Sequence, residues 1–215
     1  MAATSIPAIT YRVPKRRHPV MAFIVSQPLG ALGLLVIIVM CLAAAFANLV
    51  APYDPLTLDY AGLLAPPSWS HPLGTDSYGR DVFSRIIYGA RTALAVGFLS
   101  SILGSTLGAI IGVASAYFGG RTDLIIQRVM DVLLSFPIIV LALTVVAVLG
   151  KNIIFGIDIN LIIAIGVPMV PKVARVVRSS ALAIRELPYI DAARAAGFSH
   201  TRIIFRHIVP NVVAP

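Results

Sequence analysis

The sequence predicts an all-α, polytopic transmembrane helix bundle, and three observations carry that prediction. Of its 215 residues, 58% are hydrophobic and 12% charged, and the mean hydropathy of +0.91 lies far from that of soluble globular chains. Four stretches, about 29–50, 92–118, 132–149 and 161–177, approach the ~20 apolar residues that cross a bilayer at ~1.5 Å per residue. The basic residues are divided unevenly. With the N-terminus inside, thirteen of the 17 Lys and Arg fall on inner segments, while Arg80, Arg85, Arg91 and Lys151 fall outside. This is the positive-inside pattern. It accounts for the net charge of +8 through the lipid bilayer, with no nucleic acid as partner. The single cysteine, Cys41, lies in an apolar run, so it makes neither an intrachain disulfide nor a cysteine metal site.

Residues 1–28 are polar and basic, are broken by Pro7, Pro14, Pro19 and Pro28, and read as a disordered cytoplasmic tail. A signal peptide cleaved near Ala45-Phe46-Ala47 is the alternative. It fits less well, because the uncharged run 29–50 outlasts a usual signal core and contains the small-residue site within it. The loop 51–91 is external, and Pro52, Pro55, Pro66, Pro67 and Pro72 exclude regular helix from much of it. Its last part pairs Asp81 with Arg85 at i,i+4 and carries Val82, Phe83, Ile86 and Ile87 as an apolar stripe. An interfacial helix leading into the second span is expected there.

The second span repeats small residues every fourth position, at Ser100, Gly104, Gly108, Gly112 and Ala116. Such a stripe lets helix backbones approach closely in lipid. Gly119 and Gly120 then allow a tight cytoplasmic turn. Arg128 and Asp131 share a helix face, as a local ion pair or as contacts within the bundle. Pro137 is expected to kink the third span, residues 151–160 to form a short outer loop, and Pro168 and Pro171 to interrupt the fourth span near its inner half.

Segment 178–212 is basic, amphipathic and cytoplasmic by the charge count. Two short helices separated by Gly197 are expected, with Ser199 as an N-cap. In the second, Ile204, Phe205 and Ile208 form an apolar face, and Arg202 and Arg206 a basic one.

Asp191-Ala192-Ala193, three residues, Gly197, then Val209-Pro210 at the far end resembles the cytoplasmic loop of ABC importer permeases. That pattern is Glu-Ala-Ala, three residues, Gly, and an apolar pair ending in Leu-Pro; here Asp191 replaces the Glu and Val209 the Leu. An amphipathic juxtamembrane helix with no docking role is the plainer alternative for this segment. The external block Gly74-Thr75-Asp76, two residues, Gly79-Arg80-Asp81, followed by Ser84-Arg85 and Tyr88-Gly89-Ala90-Arg91, closely resembles the dipeptide, oligopeptide and nickel branch of those permeases. Composition and spacing assign that block no physical role.

The resemblance implies a permease domain over 29–215 with four of six expected spans, and hence a C-terminally truncated chain in a prokaryotic inner or plasma membrane. It implies cytoplasmic ATPase subunits as partners, together with a companion permease and an extracytoplasmic solute-binding protein. It also implies an ATPase-coupling role for Asp191, Ala192, Ala193, Gly197, Arg202, Ile204, Phe205, Ile208 and Pro210. No Gly-x-x-x-x-Gly-Lys-Ser/Thr loop is present to cradle ATP, so the chain is expected to be non-catalytic, without a cofactor, and driven by its partner. A secondary transporter or channel would want ionisable groups deep in its spans, and the first two have none. A membrane-anchored assembly factor is the other rival. Di- and oligopeptides are the expected cargo; nickel or another small solute is the alternative.

Overall fold

A computed structural model describes residues 19–154 and 156–212. The chain divides into two units on either side of the Tyr88–Gly89 bond. In the first, α1 (Pro19–Ser26), α2 (Pro28–Ala45) and α3 (Ala47–Val50) precede a long loop and the start of α4 (Val82–Phe118). The part of the expected irregular tail that is described is therefore helical from Pro19, and residues 1–18 lie outside the described residues. Among the residues of α2 none is buried. A wholly apolar helix of 18 residues with none buried is intelligible with hydrocarbon as its solvent.

The second unit holds the rest of α4, then α5 (Gly120–Ser135), α6 (Ile138–Leu149), a small antiparallel hairpin of β1 (Ile153–Ile154) and β2 (Ile157–Asp158), and α7 (Ile159–Arg185). The segment α8 (Pro188–Ala195), α9 (His200–Ile203), a π-helical turn over Ile204–Ile208 and α10 (Val209–Val212) ends the described chain. Three helices are long and apolar enough to cross a membrane, or four if the bent pair α5–α6 counts as one. This is the polytopic helical bundle that composition predicted.

Two of the sequence expectations need correction. The interfacial helix before the second span is not separate: α4 runs unbroken for 37 residues, because nothing between Val82 and Phe118 breaks a helix. Pro168 and Pro171 do not interrupt the fourth span either. Both are buried inside α7, which continues to Arg185; the carbonyls they strip of donors are tolerated where a helix is enclosed by neighbours. Pro137 does more than kink its span, since α5 and α6 meet at 95°. Pro137 has an extended ψ of 130° and stands as the N-cap of α6.

The small-residue stripe of α4 is where the second unit is closest packed. A Cβ on Gly104 would lie 2.8 Å from the Gly166 carbonyl oxygen and from Met169 Cβ, one on Gly108 2.7 Å from Val173 Cβ, and one on Gly112 2.5 Å from the Ala174 carbonyl oxygen. Gly166 returns the contact, its Cβ position lying 3.1 Å from the Ser100 carbonyl oxygen. The two backbones of α4 and α7 thus touch along three turns, with Ser100 fully buried at one end of the stripe. Beside them, Met130 of α5 packs with Val170 and Ala174 of α7.

This contact leaves no room for a side chain, so Gly108→Leu should destabilise the protein by at least the ~1–3 kcal/mol typical of overpacking. Gly97→Ala, on the same helix with open space at its Cβ, should be neutral. Membrane abundance and thermal unfolding in detergent check the pair; equal behaviour of the two variants would refute the packing assignment.

Candidate functional site

The segment after α7 is built on two local stops. α8 begins with Pro188 at its first position, where the missing N–H costs nothing. It ends in a Schellman motif: Gly197, at φ +75°, donates its N–H to the Arg194 carbonyl at 2.9 Å, and Phe198 donates to the Ala193 carbonyl at 3.1 Å. The left-handed backbone makes glycine the residue that fits there. Ser199 Oγ then accepts the Arg202 N–H at 3.4 Å and starts α9.

Ile190 and Ala193 of α8 are buried with Ile203 and Ile208 against Val113, Ala116 and Tyr117 of α4 and Ala181 of α7. The π-helical turn explains which residues face inward. Its wider turn aligns residues five apart, so Ile203 and Ile208 share the buried face. Ile208, expected from α-helical spacing to join an outward apolar face, is 0% exposed and holds the segment down instead. Ile204 is half-buried and turns into an apolar groove of about 610 Å³ beside Val113, Val173 and Val177. Phe205 lines the same groove at its open edge and is 69% exposed. Asp191, Ala192, Gly197, Arg202 and Pro210 are exposed as well, while Ala193 is buried. Asp191 pairs locally with Arg194 at 3.0 Å, and the Arg202 guanidinium stacks 3.9 Å from the Phe198 ring centroid.

A polar network that sequence spacing did not reveal lies beneath this platform. Arg178 of α7 grips Asp123 of α5 with two bonds of 2.6 and 2.5 Å. Ser115 of α4 donates to the same carboxylate at 2.5 Å, and Gln127 donates to Ser115 Oγ at 3.0 Å. Arg185 donates to the Ala116 carbonyl, near the end of α4, at 2.7 Å, and Tyr117 Oη lies 2.7 Å from His200 Nδ1. Asp131 pairs with Arg175 of α7 at 2.6 Å, which selects the bundle contact over a local pair with Arg128. The missed signal was a pair of isolated carboxylates in an otherwise basic stretch; partners 44 and 55 residues away have no local periodicity.

The Gly74–Asp81 block forms a second constellation. Asp76 Oδ1 accepts the N–H of Tyr78 at 2.8 Å and of Arg80 at 3.1 Å, and Oδ2 accepts Arg80 Nε at 2.8 Å and pairs with Arg85. Arg85 therefore bonds Asp76 rather than the Asp81 expected from i,i+4 spacing. Asp81, its side chain 1% exposed, caps α4 by accepting the Ser84 N–H at 2.7 Å and lies 3.0 Å from His71 Nδ1. Thr75 donates to the Gly62 carbonyl and accepts the Ala65 N–H at 2.8 Å. Gly74 and Gly79 have φ of +72° and +74°, and a Cβ on either would collide with the carbonyl oxygen of Ala65 or Asp59. The block thus knits the loop onto the start of α4. Burial works to raise the Asp76 carboxyl, but the Tyr78 and Arg80 amides and the Arg80 guanidinium outweigh it and hold the group at about 2. At Asp81 burial also opposes ionisation, and Ser84 and His71 overcome it, keeping that carboxyl below its ordinary value.

Residues 104–215 match the family described as the binding-protein-dependent transport system inner membrane component. Residues 24–67 match the N-terminal TM domain of oligopeptide transport permease C. Among individual proteins, the chain is 42% identical over 184 residues to a peptide transport system permease protein of Brucella suis, covering 86% of this chain and 60% of that one. It is 40% identical over 190 residues to the dipeptide transport system permease protein DppC of Alkalihalophilus pseudofirmus, covering 88% and 61%. To the glutathione transport system permease protein GsiD of Pectobacterium atrosepticum it is 40% identical over 185 residues, covering 86% and 60%. The chain thus spans about 60% of the length of these relatives.

The Gly74–Asp81 block falls between the two matched ranges, so its role rests on its geometry. Because Asp76 titrates below its ordinary 3.8, the ionised form is the one the fold favours. Its contribution should be complete above about pH 4 and fade as pH falls toward 2. The Tyr78 and Arg80 amides should stay protected from hydrogen exchange across neutral pH and lose protection in that acid range, and Asp76→Ala, which removes the acceptor, should lose it at pH 7. Protection unchanged in Asp76→Ala would show that the carboxylate does not hold the loop.

Proposed function

The chain belongs to the family of binding-protein-dependent transport system inner membrane components, and on that premise we propose that it is the permease subunit of an ATP-driven importer of di- or oligopeptides. The similarity to peptide, dipeptide and glutathione transport permeases supports the cargo. The observation that carries the mechanism is the platform of α8 to α10. It is rooted by buried Ile190, Ile203 and Ile208 on the ends of α4 and α7, and it offers exposed Phe205 and Arg202 outward.

In this reading a cytoplasmic ATPase subunit receives Phe205 in an apolar groove, with Arg202 and Arg206 at the rim. Closure of the ATPase pushes on the platform. The Schellman stop at Gly197 fixes the angle between α8 and α9, and the Asp123–Arg178 clamp passes the displacement to α5 and α7 as one body. A companion permease completes the passage, an extracytoplasmic binding protein delivers the cargo, and the N-terminus lies in the cytoplasm, as the distribution of basic residues supports.

The test uses the full-length permease reconstituted with its ATPase. Phe205→Asp places a charge in an apolar contact at a cost of several kcal/mol, so substrate-stimulated ATP hydrolysis should fall more than tenfold while membrane abundance holds. Arg202→Ala, at a solvated rim, should lose at most a few-fold. Parental stimulation in Phe205→Asp would reduce the segment to a surface anchor.

A further inference from the structure

The basic residues of α7 are Lys172, Arg175, Arg178 and Arg185, and the last three have carboxylate partners in Asp131, Asp123 and Glu186. Lys172 is exposed and has no ionic or hydrogen-bonding partner among the described residues. Its depth makes that unusual. The cap Asp158, whose carboxylate accepts the Asn160 N–H, marks the polar start of α7. Counting from it, Lys172 lies about 21 Å into a layer of about 30 Å, inside the hydrocarbon but in the third nearest the side that the count of basic residues makes cytoplasmic. Leu161, Ile165 and Val176, all exposed, stand at helical spacing from it and define one stripe. The face packed on α4, with Gly166, Val170 and Ala174, is turned the other way.

An ammonium group at such depth is costly, and residues of this kind face a bundle interior or a water-filled cavity and pair with an opposite charge. The described residues supply no such anion, so it comes from outside them. We propose that Lys172 lines the passage and pairs with the C-terminal carboxylate of a peptide in transit, an assignment that rests on the peptide-importer reading. The free carboxylate is the charge common to linear di- and oligopeptides whatever their side chains. A compact, rotatable ammonium on a flexible stem binds it without demanding the fixed bidentate geometry of arginine, which suits a site the cargo must leave.

The full transporter in proteoliposomes, with alanyl-alanine as cargo and Cys41→Ala as background, provides the test. K172Q should cut alanyl-alanine uptake about tenfold at unchanged membrane abundance, and K172R should retain most of it. K172C should react with methanethiosulfonate ethylsulfonate, an anionic aqueous thiol reagent, and saturating alanyl-alanine should slow that reaction. No reaction would put the side chain in lipid or against a companion subunit and overturn the assignment. Reaction indifferent to the peptide, or parental uptake by K172Q, would overturn it equally. A parent that imports another solute but no peptide removes the cargo reading and this assignment together, whereas failure of the Lys172 variants in a parent that imports alanyl-alanine removes the assignment alone.

Discussion

The second unit depends on the backbone contact between α4 and α7. In lipid there is no hydrophobic drive to bring helices together, so association rests on close packing. Gly104, Gly108 and Gly112 on one side and Gly166 on the other bring carbonyl oxygens within 3.1 Å of where a Cβ would stand. That approach lets Ser115 of α4 and Arg178 of α7 reach the same Asp123 carboxylate. A wider separation would leave a half-buried carboxylate partly unpaired, which costs more than a lost surface ion pair. The packing of small residues and the polar clamp therefore support one another.

The platform of α8 to α10 inherits its position from that contact. Its buried isoleucines sit on Val113, Ala116 and Tyr117 of α4 and Ala181 of α7, and Arg185 ties the α7 terminus to the Ala116 carbonyl at 2.7 Å. A lever must be stiff at its root and free at its tip. Ile203 and Ile208 supply the root and Phe205 the tip, and the π-helical turn assigns the two roles within six residues of sequence. This division of labour suits the proposed role, in which force enters through the exposed tip and leaves through the paired core.

The Gly74–Asp81 block follows the same logic with different chemistry. A loop outside the hydrocarbon can use water-competing bonds only if they are numerous and mutually supporting. Asp76 and Asp81 each accept backbone amides as well as side-chain donors. The glycines that separate them are required by crowding against the Asp59 and Ala65 carbonyls. The motif is in the first place a folding device that closes the loop on the helix it precedes.

The class of protein, the apolar spans, the stripe that packs and the stops around Gly197 were legible in the chain alone. These follow from composition, from period and from the backbone demands of glycine and proline, all local properties. The sequence also marked Phe205 and Arg202 as surface candidates, because short-range amphipathicity is visible in the chain. Three-dimensional packing set the partners of Asp123, Asp131, Arg85 and Asp81, the continuity of α7 through Pro168 and Pro171, and the inward turn of Ile208. Each of these depends on which distant element lies alongside. An ion pair between helices has no sequence period, enclosure decides whether a proline breaks a helix, and a π-helical turn shifts every face that α-helical spacing would assign.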